Sequence, residues 1–72
     1  MKRILYENQR GELVCTECVA VTACKQDDTR WCVKMLPDWD RNWEVIFSDH
    51  LASEAKQVVD SLYRTGIYVK NA

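Results

Sequence analysis

Glycine and proline are nearly missing from this 72-residue sequence, which has two of the first and one of the second. That scarcity, with 47% hydrophobic and 29% charged residues, excludes a disordered tail or a linker. Two isolated glycines, Gly11 and Gly66, also cannot build a phosphate-cradling loop. Long apolar runs are absent too. No stretch approaches the roughly 20 residues that cross a bilayer. Lys2-Arg3 is followed only by Ile4-Leu5-Tyr6 before Glu7, too little for a signal-peptide core. Neither sign of charge dominates: ten basic and eleven acidic residues leave a formal net charge of −1. Binding to nucleic acid or to an anionic membrane by bulk charge is thereby disfavoured. These absences predict a cytoplasmic chain with no membrane partner, folded as a single domain over residues 1–72.

What is present divides into a strand-rich first two-thirds and a helix-plus-strand ending. Residues 3–6 read as a first strand, with a polar turn over Glu7–Gly11. From Leu13 to Cys24 runs LVCTECVAVTAC, β-prone and free of Gly and Pro. Twelve extended residues would span about 40 Å, against a radius of gyration of roughly 11 Å for a domain this size. The run must therefore bend or break, and the expected place is between Thr16 and Ala20. Lys25–Thr29 is the next turn. Trp31–Leu36 is a strand stopped by Pro37, and Trp43–Phe47 is another after the loop 37–42.

In the ending, Leu51, Ala55, Val58, Val59 and Leu62 recur at helical spacing. Ser48 or Asp49 is the expected N-cap, and Gly66 the left-handed stop. Ile67–Val69 closes the chain as a strand. Strand parity puts Trp31, Val33 and Met35 on one face, and Trp43, Val45 and Phe47 on one face of theirs, both toward the core. The expected fold is α+β: a small antiparallel meander of about four strands, one covering C-terminal helix and a short final strand.

Four cysteines, Cys15, Cys18, Cys24 and Cys32, are spaced C-x2-C-x5-C-x7-C. A C-x2-C pair can bite Zn²⁺ when a knuckle turns both sulfurs inward. Here Val14, Thr16, Glu17 and Val19 surround the pair in place of Gly or Pro, and the second half-site is irregular. Reduced thiols serving as small core hydrophobes are the favoured reading, with no cofactor. A zinc site made by all four, in a nucleic-acid or transcription-regulatory module, is the alternative. A disulfide or redox pair is a third. His50 is the single histidine, placed in the first helical turn as a solvated or capping residue. No catalytic pattern appears, and so short a chain has little material for a concave pocket, so no enzyme is expected.

Trp31, Trp39 and Trp43 fall within thirteen residues, and parity assigns the first and last to the core. Trp39 stands in the loop between Asp38 and Asp40, with Arg41 next. Trp and Arg lead the residues enriched at binding hot spots. Trp39, Arg41, Asp38 and Asp40 are therefore the candidate partner-binding residues. The other readings of Trp39 are a cap folded back over an open sheet end, or a base-stacking platform that the flanking aspartates oppose. Basic residues are spread singly, so a nucleic-acid partner is not expected. The first and last strands are candidate edges for a homodimer or a foreign strand.

The last thirty residues, WEVIFSDHLASEAKQVVDSLYRTGIYVKNA, follow a strand–helix–strand plan. That plan resembles many very small bacteriophage-encoded proteins, including inhibitors of host RNA polymerase. The resemblance covers under half the chain and transfers no individual residue. It implies stoichiometric action by occupying a surface of a host or phage machine, as an inhibitor or adaptor with no active site. The function expected from the sequence is a non-catalytic intracellular protein–protein interaction module.

Overall fold

Val19 is where the long β-prone run breaks. In the computed structural model, which describes residues 1–70, strand β1 (Lys2–Glu7) is followed by β2 (Leu13–Cys18) and β3 (Ala20–Lys25). The break falls inside the expected window, and it does more than shorten the run. Strand β2 belongs to one sheet and β3 to another, so a single β-prone stretch supplies both layers. The chain continues through β4 (Trp31–Leu36), β5 (Glu44–His50), helix α1 (Ala52–Arg64) and β6 (Ile67–Tyr68). The fold of the described residues is α+β, six strands in two three-stranded sheets with one C-terminal helix and a short last strand.

The antiparallel meander occupies only the second sheet, ordered β3-β4-β5. The first sheet is ordered β2-β1-β6, with β2 antiparallel and β6 parallel to β1. This corrects the expectation that the first strand is an edge: it is the centre of its sheet, and β2 and β6 are the edges. The β1–β2 turn is an Asx-type turn, in which the Asn8 side-chain oxygen accepts from the amides of Arg10 and Glu12, both at 2.9 Å. Gly11 supplies the positive φ of 83° that this turn requires.

Strand β5 carries the largest departure from simple alternation. Val33 pairs with Phe47, yet Lys34 pairs with Val45, so Ile46 is an extra residue in the ladder. A second shift between Trp31 and Val33 coincides with Asp49 at φ 60°. The first bulge reverses parity. Phe47 is buried, whereas Val45 is 55% and Trp43 44% exposed. Trp43 and Val45 are thus not core residues, contrary to a period-two reading of Trp43–Phe47. The irregular backbone is held by two glutamines that imitate a neighbouring strand. The Gln9 amide donates to the Ser48 carbonyl (2.8 Å) and accepts from the Ser48 N–H. The Gln26 amide donates to the Asp49 carboxylate and accepts from the Asp49 N–H.

Arg30 reinforces the same joint, donating to Asp27 (2.8 Å) and to Asp49 (2.9 Å). Asp27 in turn accepts from the Thr29 and Arg30 amides. The Arg30 hydrogen bond and these amides hold the Asp27 carboxyl down at about 2, from an ordinary 3.8. The folded protein therefore takes up this proton less readily than the unfolded chain. The stabilisation is complete above the ordinary value and is lost as pH falls toward 2. Wild type should melt above Asp27→Asn at neutral pH, and the difference should close between about pH 4 and pH 2. A gap that is constant with pH would show that Asp27 acts only through the turn.

Helix α1 lays Ala55, Val58 and Leu62 on β3, β4, β5 and β6. Its N-cap is Leu51, with the Glu54 carboxylate accepting the Leu51 N–H. Ser48 and Asp49, the expected caps, belong to β5, and Leu51 is itself exposed. Gly66 ends the helix at φ 76°, its N–H on the Leu62 carbonyl, 3.0 Å away. A Cβ there would lie 3.1 Å from the Arg3 carbonyl oxygen. Lys56 is on the solvent side, but its ammonium sits 5.6 Å from the centre of the Trp31 ring. One core joins both sheets and the helix: Ile4 and Tyr6 from β1, Cys18 from β2, and Val33, Phe47 and Leu62 from the later elements.

His50 is the last residue of β5, 8% exposed, and not a solvated residue of the helix. Its ring lies 5.5 Å from that of Phe47, and Nδ1 is 3.7 Å from the Glu54 carboxylate. Nε2 is buried with no hydrogen-bond partner among the described residues. A buried orphan polar atom costs about 1–3 kcal/mol. His50→Phe, which keeps the ring contact and removes the orphan, should raise stability by about 1 kcal/mol in denaturant melts. A loss of stability would mean that Nε2 is satisfied in solution.

Candidate interaction site

Strand β4 ends at Leu36, where Pro37 removes the next ladder donor. The turn that follows is organised by Asp38. Its carboxylate accepts the Asp40 N–H at 2.9 Å, and its carbonyl accepts the Arg41 N–H at 3.2 Å. The Arg41 guanidinium leans back on the same carboxylate, 3.5 Å away. Asp38 and Arg41 thus shape the loop, while Trp39 is left at its tip. The indole is 80% exposed, so it does not fold back as a cap over the sheet.

Every residue from Trp39 to Val45 is exposed. Of the four partner-binding candidates, three are exposed together, and Asp38 is half-buried as the turn's organiser. The bulge in β5 adds Trp43 and Val45, which parity reasoning hides in the core. Val45 pairs with Lys34 and shares its side of the sheet, opposite the helix-facing Val33 and Met35. Trp39, Trp43 and Val45 are thus exposed apolar side chains within seven residues, interspersed with Asp40, Arg41 and Glu44. No pocket is present among the described residues.

The four cysteines are not brought together in one cluster. Cys15 is exposed and Cys18 buried, three residues apart on β2 and so on opposite faces. Burial pushes the Cys18 thiol up and keeps it an apolar core group. Cys24 and Cys32 lie in the other sheet, directly opposite one another on β3 and β4. Among the described residues no three His, Cys, Asp or Glu side chains are grouped to hold a metal ion. A four-cysteine zinc site is therefore not what this fold builds, because the break at Val19 sends the two halves of the motif to different sheets. Among the described residues no helix is long and apolar enough to cross a membrane. No family model, curated protein or solved structure matches the chain.

Proposed function

We propose that the chain is a non-catalytic protein–protein interaction module that acts inside the cell by occupying a surface of its partner. The observation that supports this reading is Trp39, a large indole held 80% exposed at the tip of a pinned turn. Leaving so much apolar area in water stabilises nothing in the free protein, whereas burying it against a partner releases it. Trp43 and Val45 extend the apolar surface, and Arg41 and Asp40 supply the polar rim that hot-spot aromatics usually have. The turn is also pre-organised, so little ordering entropy is spent on binding.

This mode of action is that of a stoichiometric inhibitor or adaptor, the kind of small phage-encoded protein that the chain's ending resembles. Asp38 and Asp40 beside the indole favour a protein partner over a phosphate backbone. The test is paired capture with immobilised wild type and Trp39→Ala from the lysate of the producing cells. A protein retained by wild type and lost by the folded variant supports the reading. Equal retention by both baits would move the contact surface away from this loop. A captured second copy of the chain would make the surface a homodimer interface.

A further inference from the structure

We propose that Cys24 and Cys32 form a redox site, a cross-strand dithiol that low-molecular-weight disulfides oxidise to an intramolecular bond. The two residues are register partners on β3 and β4, and their Sγ atoms lie 3.1 Å apart. Directly opposed residues of antiparallel strands have Cα atoms about 4.5–5.5 Å apart, within the 4.4–6.8 Å that disulfides span. Closing the sulfurs to a bond of about 2.05 Å therefore needs side-chain rotation and no rearrangement of the hairpin. The other two cysteines offer no such partner, since Cys15 and Cys18 point to opposite faces of β2.

Access and acidity set the order of events. Cys24 is half-buried and Cys32 is 4% exposed. Burial, and then the hydrogen bond with Cys24, push the Cys32 thiol up, so Cys24 is the sulfur that meets the oxidant. The Cys24 thiol loses its proton, and the thiolate attacks one sulfur of the small disulfide, breaking that S–S bond and releasing one thiolate. Cys32 then gives up its proton to the first released thiolate, attacks Cys24 Sγ and displaces the second small thiolate, which takes up from water a proton equal to the one Cys24 lost. Two protein thiols lose two electrons in all, and one small disulfide becomes two thiols. The bond would close the hairpin just outside the Gln26–Arg30 turn, whose ends already meet through the Gln26 N–H and the Arg30 carbonyl, 2.8 Å apart.

The experiment uses the full chain carrying Cys15→Ser, which removes the one exposed competitor, reduced and then incubated with oxidised glutathione. The expected product has lost two hydrogens in intact mass and carries no glutathione. Two of its three thiols are gone from titration after denaturation, and peptide mapping joins residues 24 and 32. Adding Cys32→Ser should stop the reaction at a glutathione adduct on Cys24. A stable adduct on Cys24 with Cys32 present, a bridge to Cys18, or three surviving thiols would each overturn the proposal. The mapping on the chain with both thiols decides the matter even if the Cys32→Ser variant fails to fold.

Discussion

Phe47→Ala is expected to cost about 3–5 kcal/mol, the scale for emptying a buried aromatic site. The ring is 3% exposed and meets Tyr6, Tyr68 and His50 with centroid separations of 5.6, 5.7 and 5.5 Å. Tyr6 and Tyr68 belong to the first sheet and Phe47 to the second, so this one side chain bridges the layers. A chain of this length has a total stability of about 4–11 kcal/mol at the usual per-residue value. The variant should therefore melt tens of degrees lower, at about 4–8 °C per kcal/mol. A shift of only a few degrees would show that the two sheets are held together elsewhere.

Leu62→Ala should follow closely, at about 2–5 kcal/mol for the lost transfer term plus the cavity. Leu62 is fully buried, the last apolar contact of the helix before Gly66. Its removal loosens the helix where the chain turns to place β6 beside β1. Gln57→Ala, on the exposed side of the same helix, should change stability by less than about 0.5 kcal/mol. Chemical denaturation of the pair measures the contrast. Equal losses would mean that the helix does not present this face to the sheets.

The helix and the strand spans were legible because their signals are local. Val58 and Leu62 repeat at helical spacing, Gly66 marks the stop, and Trp31–Leu36 is bounded by a turn and by Pro37. The partition into two sheets was not legible. A break near Val19 follows from chain length alone, but which strands then pair depends on contacts distant in sequence, such as Leu5 with Ile67. The bulge at Ile46 was equally hidden, since no glycine or other local marker accompanies it, and one extra residue moves Trp43 and Val45 from core to surface. His50 was misplaced because the helix begins after Leu51 and not at Ser48 or Asp49. For the candidate interaction site, Trp39 stood out in the sequence by its aspartate neighbours. The facing of Cys24 and Cys32 carried a usable signal, because a hairpin centred on Asp28 puts residues 24 and 32 opposite each other.

The direct measurement of the proposed interaction surface compares Trp39→Ala with wild type in two readouts, the thermal melt and the affinity for a captured partner. Because the indole packs on nothing that the core depends on, the two melts should coincide. Binding should weaken by 2 kcal/mol or more, about 30-fold in Kd, the scale of a hot-spot aromatic. A variant that melts far below wild type, or one that binds as tightly, would contradict the assignment of this loop as the contact surface.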